Sequence, residues 1–454
     1  MTIATVNPAT GRTEQRFEPH DAAEVERRLA RSAAAFTEHR ATSFADRARW
    51  SLTAAELLEG EIPVLARLLT TEMGKTFASA KAEVAKCATA FRYYAEHAEA
   101  FLADEPVALS SGSGAVRYEP MGPVLAVMPW NFPLWQVVRF AAPALMAGNV
   151  GLLKHASNVP QTALAFEDLL LRSGFVPGAF QVLLVGSGAV PDIIADDRVR
   201  AVTLTGSEGA GRAVAAAAGR ALKKSVLELG GSDPFVVMPS ADLGRAVAVA
   251  VEARVQNNGQ SCIAAKRFIV HAEIYDAFVE QMVSAMSALG VGDPMDPATE
   301  VGPLATAAGR DEVVAQVDDA ASKGASVRCG GTPPDRDGWY YPPTVVTDIE
   351  PGMAVHDEEV FGPVALVYRA ADVDDALRIA NDTGFGLGAS VWTTDTAEQD
   401  HLARGLHCGM VFVNAMVASM CELPFGGVKR SGYGRELSSQ GIRELCDVKS
   451  VRWA

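Results

Sequence analysis

The chain has 454 residues, enough for about three domain-sized units around a large core. Hydrophobic residues make up 49% and charged residues 21%, which excludes a disordered or fibrous chain. A net charge of -15 opposes a broad electrostatic grip on nucleic acid or on an anionic membrane and favours a small-molecule substrate.

Residues Met1 to Pro8 lack a basic stretch followed by an apolar one, and no apolar run approaches a membrane span, so a cytoplasmic protein is expected. From 21 to 102 the pattern is helical. Val25, Leu29 and Phe36 recur at helical spacing, Asp21 and Ser43 suit N-caps, and Gly60 suits a helix stop. From about 115 short β-rich runs alternate with helical ones. Strands are expected at Val124 to Met128, Val150 to Leu153, Gln181 to Val185, Ala201 to Thr205 and Ser225 to Leu229. Crossover helices are expected at 134 to 147, 160 to 173, 188 to 195 and 208 to 219, which implies a parallel sheet. Beyond 234 further strands at Phe235 to Met238, Arg267 to Val270, Ala365 to Tyr368 and Met410 to Val413 suggest a second α/β domain.

The chemistry-bearing stretches lie at the ends of these elements. The dinucleotide fingerprint G-x-G-x-x-G after a first strand is missing. Gly206-Ser207-Glu208-Gly209-Ala210-Gly211 instead follows the strand ending at Thr205, where it opens a helix whose N-H groups can face a pyrophosphate. An ordinary βα turn reads the same way. Glu228 precedes the Gly230-Gly231 pair at a strand end, where α/β sheets face their ligand crevices; capping or pairing with a cation is the alternative. Cys262 ends the polar turn Gln256-Asn257-Asn258-Gly259-Gln260-Ser261, a setting suited to a reactive thiol. The other cysteines, Cys87, Cys329, Cys408, Cys421 and Cys446, are scattered without metal spacing, so neither a structural metal nor a disulfide framework is expected. Pro129-Trp130-Asn131-Phe132-Pro133 follows the first parallel strand, and the amide of Asn131 suits an oxyanion; Trp130 and Phe132 also read as core. Glu358 and Glu359 stand before Phe361 and Gly362, where paired acids are usually just solvated.

In this order the motifs resemble the aldehyde dehydrogenase superfamily over nearly the whole chain. They are PWNFP at 129 to 133, KHAS at 154 to 157, TGS at 205 to 207, ELGGSDP at 228 to 234, GQSC at 259 to 262, EEVFGPV at 358 to 364 and PFGGVKRSGYGRE at 424 to 436. The wording MPWNFPLWQ, LLKHASN and VLELGGSDPF is most similar to the shorter bacterial succinate-semialdehyde dehydrogenases, including the actinobacterial NADP-dependent type.

The resemblance implies a Rossmann-type parallel-sheet cofactor domain (1-104 and 122-229), an α/β catalytic domain (230-434) and a small β oligomerisation element (105-121 and 435-454). A homodimer or homotetramer follows. Cys262 is then the nucleophile that forms a thiohemiacetal and a thioester, Glu228 the base that activates the hydrolytic water, and Asn131 with the Cys262 N-H the oxyanion hole. The cofactor set comprises Trp130, Asn131, Lys154, His155, Ala156, Ser157, Gly206, Ser207, Leu229, Glu359 and Phe361. Lys154 meets the adenosine ribose, Gly206 and Ser207 the pyrophosphate, Glu359 the nicotinamide ribose and Phe361 the nicotinamide.

Arg139 and Ser419 match positions that contact the substrate carboxylate in succinate-semialdehyde dehydrogenases; a structural ion pair is the alternative for Arg139. Gln256 stands where many of those enzymes have arginine, which leaves glutarate semialdehyde or an uncharged aldehyde open. Ile263 and Ala264 replace a second cysteine after the nucleophile, so no redox switch is expected there. Ser157 occupies a position that is often Glu in NAD-preferring relatives, which points to NADP, with NAD as the alternative. A CoA-acylating dehydrogenase and a non-catalytic dinucleotide-binding protein of the same fold are the competing readings.

Overall fold

A computed structural model of the chain describes residues 2–454. After an antiparallel hairpin, Ile3–Asn7 with Arg12–Phe17, come four helices, Ala22–His39, Phe44–Gly60, Ile62–Met73 and Phe77–Phe101. Asp21 and Ser43 cap the first two by accepting from the backbone N-H of Glu24 (2.7 Å) and Asp46 (3.1 Å), which is why those helices start where they do. The long fourth helix packs against Phe44–Gly60 and Trp135–Ala147 and buries Val84, Cys87, Phe91 and Tyr94.

A six-stranded sheet has the order Gly432–Tyr433, Lys224–Glu228, Ala201–Thr205, Pro123–Val127, Val150–Lys154, Phe180–Val182. All its pairings are parallel except that of the two-residue edge strand. Val124 and Ala126 join one core and Leu125 another, so both faces are covered, as a sheet with helical crossovers requires. Four of the five expected strands match to within a residue or so at each end. The fifth stops at Val182 rather than Val185, because the chain turns after the Leu183 N-H reaches Leu153 and Val185 bonds back to Leu183.

A seven-stranded sheet follows the order Ser326–Cys329, Thr344–Thr347, Val364–Ala370, Arg267–His271, Pro234–Val237, Gly388–Trp392, Met410–Val413. A three-stranded antiparallel sheet joins Glu105–Ala108, Ser113–Pro120 and the C-terminal strand Cys446–Trp453. Gly432–Tyr433 returns from the far part of the chain to pair with Leu227 and Glu228, so the two large sheets are laced together beside the motif that carries Glu228. Among the described residues no helix is long and apolar enough to cross a membrane.

Candidate active site

The parallel sheet reverses strand order about Pro123–Val127, whose neighbours on either side are Val150–Lys154 and Ala201–Thr205. Crevices open outside the carboxyl ends of strands at such a point. Register puts Val127 opposite both Lys154 and Leu204, and Thr205 opposite Glu228. Trp130, Asn131, Lys154, Gly206 and Glu228 therefore emerge along one edge.

Lys154 is buried, and burial is the cause of its lowered pKa; among the described residues no charged group compensates its ammonium. The nearby Ser157 carbonyl accepts from Ala4 N at 3.0 Å, so the N-terminal hairpin holds this turn. His155 is spent on the fold. Its Nε2-H donates to Pro133 O (2.8 Å), its Nδ1 accepts from Ala156 N (2.9 Å), and burial pushes its pKa down to about 4. Trp130 and Ala156 pack on one small apolar cluster, and the Trp130 ring meets Phe361 edge-on at 5.8 Å. Ser207 caps the helix Glu208–Arg220, and the Gly206 N-H donates to Glu228 O at 3.0 Å. Leu229 is buried, with its N-H on Ser431 O at 3.0 Å.

The cysteine turn is held by buried polar groups. Asn257, Asn258 and Gly259 all have positive φ, and a side chain on Gly259 would lie 2.4 Å from the backbone of Gly362. The Asn258 amide bonds Gly74 O, Pro303 O and Gly302 N, and Arg254 donates to Gly259 O at 2.6 Å. Lys266 donates to the carbonyls of Ser261 and Cys262 (2.7 Å each) and pairs with Glu359 at 3.0 Å. Glu359, expected to be plainly solvated if it served no site, is instead half-buried and accepts from Gly231 N at 3.1 Å. A Cβ on Gly230 would fall 2.2 Å from Glu359 Oε2, so a larger residue there would push the Glu359 carboxylate aside. The Asn131 Nδ2 donates to Gln260 O at 3.2 Å, which fixes the amide beside the nucleophile turn. Burial pushes the Cys262 thiol up to about 12 despite Arg139 and Lys266 nearby.

Glu228 is buried with neither carboxylate oxygen hydrogen-bonded. Burial first, and then the Glu436 carboxylate, hold its pKa well above the usual carboxylate range, while Arg139 and Arg435 oppose this. Arg139 is itself 2% exposed, with Nε 2.8 Å from Glu436 and its guanidinium over the Phe425 ring at 4.3 Å.

A family model described as the aldehyde dehydrogenase family matches residues 1–451. The chain belongs to the aldehyde dehydrogenase family. It is 63% identical to the succinate-semialdehyde dehydrogenase (NADP+) 1 of Mycobacterium tuberculosis over 99% of each chain, and 61% identical to the corresponding NADP+ enzyme of Mycobacterium leprae over the same shares. Among solved structures, that of Gox0499, studied for cofactor and substrate selection, superposes with a TM-score of 0.99 at 42% identity over the whole of both chains. The succinic semialdehyde dehydrogenase of Streptococcus pyogenes in complex with NADP+ gives 0.97 at 35% identity over 99% of each.

This aldehyde dehydrogenase chain has a cavity of about 530 Å³ in front of the cysteine. Cys262, Gln256, Arg139 and Ser419 all line it, so the structure brings the expected nucleophile and substrate positions together. Glu228 is not among the residues that line the cavity, though the Arg139 charge reaches it. Three residues escaped the sequence reading: Lys266, Glu436 and Lys86. Glu436 lies in the quoted PFGGVKRSGYGRE motif, and Lys266 stands four residues after the nucleophile, so proximity to motifs was their available signal.

Proposed function

We propose that the chain is a cytoplasmic NADP-dependent succinate-semialdehyde dehydrogenase. The observation that carries this reading is Cys262 facing a cavity whose wall holds cationic side chains, in a chain so similar throughout to relatives of that name. Cys262 attacks the aldehyde carbon as its thiolate, having given up the thiol proton to solvent water in the open cavity. The Asn131 Nδ2 and the Cys262 N-H donate to the oxygen that becomes anionic. The residues present fit a dinucleotide: the uncompensated Lys154 ammonium and the Ser157 hydroxyl suit a phosphorylated ribose, Gly206 and Ser207 a pyrophosphate, and Glu359 and Phe361 the nicotinamide end. When bound, NADP supplies the hydride acceptor. Oxidation leaves a thioester on Cys262, and Glu228 takes a proton from the water that hydrolyses it.

The substrate carboxylate lies at the Arg139 and Ser419 end of the cavity, with Gln256 contributing an amide but no charge. Segments 1-104 and 122-229 bind the cofactor and 230-434 carries the catalytic cysteine. Segments 105-121 and 435-454 build the oligomerisation sheet. Exposed Val107, Val448 and Trp453 on that sheet, with Leu109 in the turn beside it, support a homodimer or homotetramer. A panel of succinate, glutarate and uncharged semialdehydes and aldehydes with both cofactors tests the reading. Succinate semialdehyde with NADP should give the highest kcat/KM. Absence of reduced cofactor across the panel overturns it.

A further inference from the structure

Two cationic side chains reach the wall of the cavity, and they are not equivalent. Arg139 is already balanced by Glu436 at 2.8 Å. Lys86 is not. Its Nζ donates to Ser419 Oγ at 2.7 Å and sits 4.4 Å from the centre of the Trp135 ring, and no carboxylate pairs with it among the described residues. Glu83, the nearest acid on its own helix, is committed elsewhere: it pairs with buried Lys75 and accepts from the backbone N-H groups of Leu134 and Trp135 at 2.9 Å. Glu252 and Glu300 also line the cavity but are exposed at its rim.

Ser419 completes the arrangement. Its oxygen accepts from both Lys86 Nζ and Trp135 Nε1 (2.9 Å), which occupies both lone pairs and leaves the hydroxyl proton to donate. Ser79, Glu83 and Lys86, at spacings of four and three, share the cavity-facing side of helix Phe77–Phe101.

We propose that Lys86, with the Ser419 hydroxyl, is the specificity-determining anchor for the substrate carboxylate, and that it supplies the net positive charge that Arg139, neutralised by Glu436, does not. This rests on the proposed preference for a carboxylate-bearing aldehyde. Burial, then Arg139, lower the Lys86 pKa to about 8, while Cys87, Cys421 and Glu83 oppose that shift. Lys86 is therefore charged at neutral pH and loses its charge as pH rises past that value.

The test compares succinate semialdehyde with butanal, an uncharged aldehyde of equal chain length, using NADP and three forms of the enzyme: wild type, Lys86→Met and Lys86→Arg. Lys86→Met should lower kcat/KM for succinate semialdehyde roughly 10- to 100-fold, mostly through KM, as for a lost charged hydrogen bond, and leave butanal within a few-fold. Lys86→Arg should restore much of the loss. In wild type, kcat/KM for succinate semialdehyde should fall above about pH 8 relative to butanal, and the arginine variant should lose that limb. If wild type prefers succinate semialdehyde but Lys86→Met keeps the preference, or loses equally on both substrates, the assignment is overturned. If wild type shows no preference, it is the proposed substrate that fails.

Discussion

The Nε of Arg139 lies 2.8 Å from the Glu436 carboxylate, and the charges of both act on buried Glu228 in opposite directions. In the proposed mechanism this pair sets when Glu228 acts as a base. Burial and the Glu436 charge favour the protonated acid, so the carboxylate needed for deacylation forms only as pH rises well past the usual carboxylate range. Acyl-enzyme decay in single turnover should therefore increase with pH. Glu436→Gln removes the like charge and should move that limb to lower pH. Glu228→Gln should flatten it and slow decay by about 10²- to 10⁴-fold, while the first burst of NADPH survives. A limb unmoved by Glu436→Gln would remove the coupling from the mechanism.

Stability should report the same pair. Arg139→Leu leaves the Glu436 carboxylate buried without its cation, a change that costs on the order of 3 to 5 kcal/mol where an ion pair is broken on one side only. Adding Glu436→Gln should recover more than half of that loss, because the uncompensated charge is gone. Urea denaturation of the single and double variants decides it. A double variant as unstable as Arg139→Leu would place the arginine's contribution in its packing on Phe425.

The Cys262 thiol is pushed up to about 12 by burial, so the ligand-free enzyme holds a thiol and not a thiolate. Alkylation by iodoacetamide should be slow at neutral pH and should keep rising with pH beyond 10, with no plateau near the ordinary thiol range. Cys262→Ala should abolish both alkylation at this position and turnover, and leave NADP binding by fluorescence titration within a few-fold of wild type. Near-normal turnover in that variant would end the thioester mechanism.

The outcome of sequence reading differed along the chain for physical reasons. The stretch from Pro123 to Glu228 was legible because each strand is a short apolar run followed by a turn and a helix of crossover length, and the motifs sit where those strands end. The hairpin Ile3–Phe17 was not assigned, since Arg12–Phe17 is almost wholly exposed and carries no apolar face. Gly432–Tyr433 gave no signal as a strand of two residues whose partner lies some two hundred positions earlier. Lys86 was illegible for another reason. Lysines and glutamates at helical spacing ordinarily mark a solvated face, and only the packing of helix Phe77–Phe101 over Trp135 and Ser419 turns that face inward. The site roles at Cys262, Glu228 and Asn131 came from motif resemblance; the geometry adds how each side chain is held.

On the proposed function, we assign cofactor choice to Lys154 and Ser157. Lys154 closes the strand Val150–Lys154 with a buried ammonium that no acid among the described residues offsets, and Ser157 stands three residues on in a turn fixed by the Ala4 N-H. An uncompensated buried cation is costly unless a ligand brings the opposite charge, and a ribose 2′-phosphate brings it where a 2′-hydroxyl does not. Placing a carboxylate nearby supplies that charge from the protein instead. Ser157→Glu should thus lower kcat/KM for NADP by roughly 10- to 100-fold, the scale of a lost charged hydrogen bond, and leave that for NAD level or improved. Lys154→Met should weaken NADP binding more than NAD binding and narrow the ratio from the other side. Measured with succinate semialdehyde held saturating, the NADP-to-NAD ratio decides the matter. A wild-type enzyme that favours NAD, or a Ser157→Glu variant with an unchanged ratio, would assign the selection to other residues.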